Sequence, residues 1–216
     1  MKKPEIRWFH SFHLSDEIIN GDGQYEILKL RSDRIFSGGL VNGKSVLDVG
    51  AWDGFFSFEA EKQGASKVLA TDHVCWSGEG WGNKQGFDYI HNKTKSNVET
   101  LDANVFDLTV DKIGKFDVVL FLGVLYHLKN PFEALERMAS ITNEVLIIET
   151  AGAMFEVDDP VMRFFSGTEL NNDASNYWAP NPKCLENMLL DIGFSKIEFL
   201  ESPDGVDRIL VRAFFN

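Results

Sequence analysis

The segment VLDVGAWDGFFSFEAEKQGASKVLATD, residues 46–72, places the strongest constraint on the fold of this chain. It opens with a short apolar run that Gly50 ends, continues as an amphipathic stretch that stops at Gly64, and closes with a second apolar run ending at Asp72. Short apolar runs indicate buried strands, and glycine commonly follows the last turn of a helix. The segment therefore predicts strand, tight turn, helix and parallel strand, the repeating unit of an α/β fold.

Further strands and helices alternate along the rest of the chain. The runs FDVVLFLG (Phe116–Gly123) and EVLIIET (Glu144–Thr150) predict two more buried strands. Between them, Asn130 and Pro131 stand at the N-cap and the first position of a predicted helix. A second amphipathic helix is predicted over Lys183–Phe194. This alternation indicates a mostly parallel sheet.

The C-terminal segment predicts a different strand connection. KIEFLES and DRILVRAFF flank Pro203-Asp204-Gly205, a composition typical of a hairpin turn. We therefore expect residues 1–216 to form a single α/β domain whose parallel sheet ends in an antiparallel pair. Sheets of this kind bind ligands beyond the carboxyl ends of their strands.

Charge and cysteine usage narrow the class of protein. The chain has 21 basic and 33 acidic residues and a net charge of −12, which disfavours nucleic acid and anionic membranes as partners. Cys75 and Cys184 are too few for a disulfide framework or a Cys-rich metal site. The N-terminal MKKPEIRWFH lacks the apolar run of a signal peptide, and no stretch resembles a membrane span. We therefore expect a cytoplasmic protein, of unspecified oligomeric state.

The turn DVGAWDG after the first strand discriminates between nucleotide ligands. A dinucleotide fingerprint requires glycine at positions 50, 52 and 55, but Trp52 and Phe55 stand at the last two. A turn with Gly50 and Gly54 fits S-adenosylmethionine (SAM), which has no pyrophosphate and needs less close backbone approach. We expect Asp48, Gly50, Trp52 and Gly54 to contact this cofactor.

Two later features extend the predicted nucleotide site. Asp72 ends the second strand, where a carboxylate can accept hydrogen bonds from both ribose hydroxyls. DANVFDL (Asp102–Leu108) stands where adenine is usually bound. Asn104 can bond the exocyclic amine, and the Val105 amide can bond a ring nitrogen.

The order of these features resembles the class I SAM-dependent methyltransferases, from about Lys44 to the end of the chain. The resemblance rests on the glycine turn, the strand-end acid, the adenine segment, GVLYHL (Gly123–Leu128) and the terminal hairpin. It implies a Rossmann-like fold with a mostly parallel seven-stranded sheet and a C-terminal antiparallel hairpin.

Within that family, the chain is similar to the bacterial tRNA wobble-uridine carboxymethyltransferases, which form 5-carboxymethoxyuridine, and to their methyltransferase-like relatives. The shared stretches are FLGVLYHLKNPFEAL, IIET, NYWAPNPKCLENMLLDIGF and the N-terminal WFHSFHL. By this resemblance, the cofactor contacts fall on Tyr25, Gly50, Asp72, His73, Val74, Val105, Phe106, Leu122 and Tyr126.

The carboxymethyl enzymes use carboxy-SAM and hold its extra carboxylate with a Lys, a Tyr and an Arg. Tyr126 stands at the Tyr position and His10 at the Lys position, while Arg208 and Arg212 are candidates for the Arg. A mostly neutral histidine weakens such a clamp, and a desolvated carboxylate without cationic partners is costly. Ordinary SAM therefore fits this chain better.

Methyl transfer from SAM leaves the protein to position the acceptor and to remove its proton. His127, at the end of the fourth strand, is the first candidate base, and Glu149 at another strand end is the second. His10 and His13 would share one face of a helix and cap the pocket. For each of these residues, structural packing or hydrogen bonding is the alternative. No third ligand accompanies the two N-terminal histidines, so no metal site is predicted.

Three segments are predicted to surround the acceptor rather than to build the core. Residues 1–43 form an N-terminal cap segment, Cys75–Phe87 is a Gly/Trp-rich loop, and residues 151–180 form a substrate-side insertion. The aromatic residues expected to line the acceptor site are Trp76, Trp81, Tyr177 and Trp178.

The leading hypothesis is methyl transfer from SAM to a small-molecule acceptor, by O- or N-methylation of a sugar, a heterocycle or a natural-product intermediate. The alternatives are carboxymethyl transfer from carboxy-SAM to the wobble uridine of tRNA and non-catalytic SAM binding. A nicotinamide dehydrogenase is disfavoured because Trp52 and Phe55 occupy its glycine positions. The sequence does not identify the acceptor.

Overall fold

The computed structural model describes residues 2–78, 82–205 and 207–216. They fall into two compact units, Met1–Asp107 and Leu108–Asn216. The helices are α1 Tyr25–Ile35, α2 Phe55–Lys62, α3 Gln85–Thr94, α4 Val110–Ile113, α5 Pro131–Ser140 and α6 Pro182–Ile192. The strands are β1 Phe12–His13, β2 Ile18–Ile19, β3 Ser45–Val49, β4 Lys67–Asp72, β5 Glu99–Asp102, β6 Phe116–Leu122, β7 Thr142–Ala151, β8 Met162–Phe164, β9 Trp178–Pro180, β10 Lys196–Leu200 and β11 Arg208–Phe214.

The first unit contains three sheet strands, β3 to β5, and the second unit contains four, β6, β7, β10 and β11. In the first unit, β3 pairs in parallel with β4, and β4 with β5. In the second, β6 pairs in parallel with β7, while β11 pairs antiparallel with both β7 and β10. The predicted α/β class, with its C-terminal antiparallel hairpin, is confirmed. That the whole chain is one domain stays a prediction.

Regular structure extends into segments that the sequence analysis left as loops. The Gly/Trp-rich segment gives way to α3 at Gln85, and β5 follows it. Within residues 151–180, β8 and β9 form an antiparallel pair, and Phe165 and Ala179 pack with Ala151 in a small apolar cluster. In the described part of the chain, no helix is both long and apolar enough to cross a membrane.

The N-terminal segment is extended, which corrects the helical arrangement considered for His10 and His13. His10 forms an isolated bridge with Gly23, and His13 lies in β1, which pairs with β2. Side chains of extended backbone alternate between two faces. His10, three positions before His13, is therefore buried with Trp8 and Phe12, whereas His13 is exposed. The two histidines do not form one face.

Asp53 fixes this segment to the turn between β3 and α2. Its Oδ2 accepts the backbone amides of Phe9 at 2.8 Å and His10 at 3.0 Å. Asp53 is 1% exposed, and burial raises the pKa of its carboxyl group to about 6. The Phe9 ring also stacks on Trp52, with centroids 4.3 Å apart and planes 3° apart. The N-terminal segment thus braces the turn through both backbone and side chains.

Gly54 is required where that turn enters α2. Its φ is +85°, and a Cβ built there would lie 2.6 Å from Cδ2 of Phe87. Gly38 has a similar φ of +77° but nothing within 4 Å of a built Cβ. Substitutions at these two glycines can therefore distinguish the energetic cost of backbone strain from the cost of side-chain crowding.

We expect Gly38→Ala to lower the free energy of unfolding by about 1 kcal/mol, the cost of a left-handed non-glycine residue. Gly54→Ala should lower the free energy of unfolding by the same amount and by about 1–3 kcal/mol more, because its Cβ would crowd the Phe87 ring. Urea titration of both variants measures the difference. Equal losses at the two positions would contradict the tight packing at Gly54.

His10 is enclosed by aromatic rings, with Phe55 and Phe56 centroids 6.1 and 6.0 Å from its own. Its Nδ1 has no hydrogen-bond partner among the described residues, and burial, aided by the Arg31 charge, lowers the pKa of His10 to about 3. Because the folded pKa lies below the unfolded value of 6.5, the unfolded state binds the proton more tightly. This contribution to stability is complete above about pH 6.5 and is lost as pH falls toward 3.

Between pH 7 and pH 5, wild type should therefore lose about 2 kcal/mol of unfolding free energy relative to His10→Gln, which cannot titrate. All other titrating groups are common to the two proteins, so the difference in pH slope isolates His10. Parallel stability curves from urea titrations across this range would show that the imidazole is not held neutral by burial.

Candidate functional site

A tight bend follows β3 in the first unit. Gly50 has a φ of +81°, and its amide and that of Ala51 donate to the Thr71 carbonyl at 2.8 and 3.0 Å. The Gly54 amide closes the turn by donating to the Ala51 carbonyl at 2.7 Å. These bonds tie the end of β3 to the end of β4 and direct the chain into α2.

Asp72 lies at the carboxyl end of β4, beside this bend. Its Oδ2 accepts the Trp52 amide at 3.0 Å, and its Oδ1 accepts the Cys75 amide at 2.9 Å. Burial raises the pKa of Asp72, while these amides and that of His73 act in the opposite direction. The backbone therefore fixes the orientation of the carboxylate. An ionised carboxylate has about four acceptor sites, which is more than these three amides use.

Trp52 stands at the middle of the bend with a φ of +46°, a strained value for a bulky residue. Its carbonyl accepts the indole Nε1–H of Trp76 at 2.8 Å, and its own ring stacks on Phe9. Hydrogen bonding and stacking thus offset the strain. Trp76, expected at the acceptor site, is buried against Phe87, and Trp81 lies outside the described residues.

The other residues after β4 that are predicted to contact the cofactor are more exposed to solvent than Asp72. His73 is exposed and pairs through Nδ1 with Asp102 Oδ1 at 2.8 Å, and Val74 is 49% exposed. Asn104 is exposed, and its Oδ1 accepts the Phe106 amide at 3.2 Å. Val105 and Phe106 are half-buried in a 3₁₀ turn, Val105–Asp107. The Asn104 side chain therefore orders the turn predicted to meet adenine.

Asp48 and Tyr25 have structural contacts. Asp48 is buried and accepts the Ser57 hydroxyl at 2.6 Å, which ties β3 to α2, and burial raises its pKa to about 6. Tyr25 begins α1, and its ring stacks on His13 with centroids 3.7 Å apart. A cofactor contact by Asp48 or Tyr25, and a catalytic role of His13, stay predictions.

The second unit contains a buried ion pair between Arg208 and Glu149. Arg208, at the start of β11, donates to both Glu149 carboxylate oxygens, with Nη2 to Oε2 at 2.7 Å. Its Nη2 lies 3.5 Å from the Tyr126 hydroxyl, and its guanidinium carbon lies 4.8 Å from the centre of the Tyr126 ring. Burial opposes the charge of Arg208, but Glu149 raises the guanidinium pKa above its ordinary value. Glu149 is thus a partner of a cation rather than an isolated base.

His127 follows Tyr126 in a 3₁₀ turn, Leu125–His127, just beyond the end of β6, which Leu122 closes. Its Nδ1 lies 3.1 Å from the Ser175 carbonyl oxygen and 3.0 Å from the Ser175 hydroxyl. That hydroxyl donates to Asp173 Oδ1 at 2.7 Å. Burial lowers the pKa of His127, and the Ser175 carbonyl and Asp173 partly offset this effect.

Tyr177 and Trp178 make two further hydrogen bonds, one to the His127 turn and one just beyond it. The Tyr177 amide donates to the Tyr126 carbonyl at 2.8 Å, and the Trp178 indole donates to the Lys129 carbonyl at 3.3 Å. Tyr177 and Trp178 are both half-buried. Whether these aromatic residues contact an acceptor stays a prediction.

Sequence reasoning missed several residues of this arrangement. Asp53 lies in the turn DVGAWDG, but its amide partners lie more than 40 positions away in sequence. Asp173 and Ser175 carried no motif, and Arg208 was named only for its position near the C-terminus. Among residues 2–78, 82–205 and 207–216, no three His, Cys, Asp or Glu side chains could together hold a metal ion.

Curated relatives support the predicted branch. A tRNA U34 carboxymethyltransferase of Campylobacter hominis is 28% identical over 162 residues, which cover 74% of this chain and 53% of that protein. The corresponding enzyme of Helicobacter pylori is 27% identical over 179 residues, which cover 79% of this chain and 64% of that protein. The chain therefore spans only about half to two thirds of the length of these relatives.

Solved structures support the fold. The N-terminal domain of EvdMO1, determined with S-adenosylhomocysteine (SAH) and D-fucose, matches with a TM-score of 0.71 at 19% identity, over 97% of this chain and 91% of that one. The 1,6-didemethyltoxoflavin-N1-methyltransferase of Burkholderia thailandensis, with its substrate and SAH, matches with a TM-score of 0.64 at 20% identity, over 88% and 78%. Both of those structures hold SAH.

A family model described as a methyltransferase domain matches residues 21–198, which include the glycine turn, Asp72, the His127 turn and the insertion. This match covers most of the chain, and the resemblance read from the sequence is confirmed. The chain belongs to the methyltransferase domain family.

Proposed function

We propose that this chain transfers a methyl group from SAM to a small-molecule acceptor. The observation that carries the proposal is the Asp72 carboxylate, fixed at the end of β4 by the Trp52 and Cys75 amides. When bound, SAM supplies an activated methyl group on a sulfonium. The chain's own residues hold the cofactor, position the acceptor and accept its proton.

The residues of the first unit fit a nucleoside with an amino-acid tail. A fixed carboxylate at a strand end suits a ribose diol, because both hydroxyls can donate to it. Gly50 has a positive φ that favours glycine, and the lack of a Cβ there leaves its backbone open to a ligand. Trp52 fills the middle position of the bend, where a dinucleotide site requires glycine. His73, Val74, Val105 and Phe106 are proposed as further cofactor contacts.

Two observations support a small-molecule acceptor, namely the net charge of the chain and the molecules bound in structures with a similar fold. The net charge of −12 opposes the counterion-release binding on which nucleic-acid partners depend. The two structural neighbours were determined with small molecules, EvdMO1 with D-fucose and the Burkholderia thailandensis methyltransferase with 1,6-didemethyltoxoflavin. Among the candidate bases, His127 is favoured, because Glu149 has both oxygens engaged by Arg208 and His10 has a pKa of about 3.

Carboxymethyl transfer to tRNA is the second candidate, and one observation favours it. Arg208 lies against Tyr126, so two of the three residue types of a carboxylate clamp are together in the second unit. The curated relatives are named tRNA U34 carboxymethyltransferases. Against it, the position expected to hold Lys is His10, which is neutral, and Glu149 already balances the charge of Arg208. We therefore keep SAM as the proposed donor.

Asp72→Asn should weaken SAM binding about 10- to 100-fold, because hydrogen bonds to a charged acceptor contribute about 1.5–3 kcal/mol. Isothermal titration calorimetry with SAM measures the loss, and thermal unfolding confirms that the variant is folded. The exposed Asp33, changed to Asn, serves as the matched control and should leave the affinity unchanged. Unaltered binding by a folded Asp72→Asn protein would remove the basis of the proposal.

Incubation with methyl-labelled SAM and fractionated cell extract distinguishes the acceptor classes. We expect label in the small-molecule fraction together with SAH formation, and no carboxymethyl transfer to tRNA when carboxy-SAM replaces SAM. Carboxymethylated tRNA would establish the second candidate instead. SAM binding without SAH formation in any fraction would indicate a non-catalytic binding protein.

A further inference from the structure

The hydrogen bonds around His127 determine which ring nitrogen carries the proton. Nδ1 lies within hydrogen-bond distance of two oxygens of Ser175, the backbone carbonyl at 3.1 Å and the hydroxyl at 3.0 Å. A carbonyl oxygen can only accept a hydrogen bond. The hydroxyl has a single proton, and that proton is directed to Asp173 Oδ1 at 2.7 Å. Both contacts of Nδ1 therefore require Nδ1–H as the donor.

A neutral imidazole with its proton on Nδ1 carries the basic lone pair on Nε2. Burial lowers the pKa of His127, so the neutral form dominates at pH 7. Among the charged groups near the ring, Asp173 raises this pKa and Arg208 lowers it. The Tyr126 ring lies beside the imidazole, with centroids 4.3 Å apart.

The segment that carries Asp173 and Ser175 is itself held in a defined turn. Asp173 Oδ1 also accepts the Ser175 amide at 2.8 Å, and the Asn176 side chain donates to the Leu170 carbonyl at 2.9 Å. Asn171 and Asn172 have φ values of +57° and +56°, which asparagine tolerates better than most residues. The position of Ser175 is therefore set by the insertion and not by the sheet.

We propose that Asp173 and Ser175 are positioning residues that present His127 as its Nδ1–H tautomer, with Nε2 as the atom that accepts the acceptor's proton. This inference rests on the proposed methyl transfer. The acceptor oxygen or nitrogen loses its proton to Nε2 and forms a bond to the methyl carbon in its place, while the electron pair of the broken carbon–sulfur bond stays on sulfur. Residues 151–180 thereby position the base of the reaction.

The tautomer can be measured without knowledge of the acceptor. Long-range ¹H–¹⁵N correlation spectra of the labelled protein near pH 7 distinguish protonated from unprotonated ring nitrogens, and His127→Gln assigns the signals by their loss. We expect a protonated Nδ1 and an unprotonated Nε2 for His127 in wild type. A protonated Nε2 would overturn the inference, whatever the variants show.

Three variants test the assigned roles. Asp173→Ala frees the Ser175 hydroxyl to donate to Nδ1, so we expect part of the population to change to the Nε2–H tautomer. Adding Ser175→Ala removes that donor and leaves only the carbonyl, so the double variant should regain the wild-type tautomer. Asp158→Ala, at an exposed position of the same insertion, is the matched control and should have no effect. An unchanged tautomer in folded Asp173→Ala would exclude Asp173 from the positioning role.

A kinetic test becomes possible once label transfer identifies an acceptor. Asp173→Asn removes the charge that raises the His127 pKa, so the acidic limb of the kcat/KM profile should move to lower pH. A purely structural role would lower activity without moving that limb. The affinity of Asp173→Asn for SAM should stay unchanged. An Nε2–H tautomer of His127 in a protein that still binds SAM would refute this inference alone. Undiminished SAM affinity in Asp72→Asn would instead refute the proposed function.

Discussion

The hydrogen bonds between the β3–α2 bend and the end of β4 organise the first unit. Two amides of the bend donate to the Thr71 carbonyl, and a third, from Trp52, donates to the Asp72 carboxylate. Asp53, in the same bend, binds the N-terminal segment through two further amides. One stretch of five residues therefore sets the position of two strands, a helix and a terminal segment. The strained backbone of Trp52 persists because these contacts surround it.

The second unit depends on a different interaction, the buried pair of Glu149 and Arg208. Glu149 is fully buried and the Arg208 side chain is 15% exposed. The desolvation of two such ions consumes most of their attraction, so the pair contributes orientation more than stability. Its geometry keeps the guanidinium against Tyr126, next to the turn that carries His127. The cation and the histidine are thus held by separate networks, one from β7 and β11 and one from the insertion.

Local patterns in the sequence were sufficient to predict the fold and part of the candidate site. Apolar runs located β3, β4, β6 and β7, and the Pro-Asp-Gly turn located the C-terminal hairpin. The exposed strand β5 was missed because it lacks a continuous apolar run. His10 was considered on a helix because its spacing to His13 permits one, whereas long-range bonds to Asp53 and Gly23 keep the segment extended. Contacts between distant positions, such as His127 with Ser175, leave no local signal in a single sequence.

The central claim is that the Asp72 carboxylate holds the ribose of a SAM-derived ligand beside the glycine bend. A crystal structure of the protein with SAH tests it most directly. We predict that both ribose hydroxyls lie within hydrogen-bond distance of the Asp72 carboxylate and that the backbone of Gly50 runs along the amino-acid tail. A ribose held by other residues, or a ligand bound away from this bend, would contradict it.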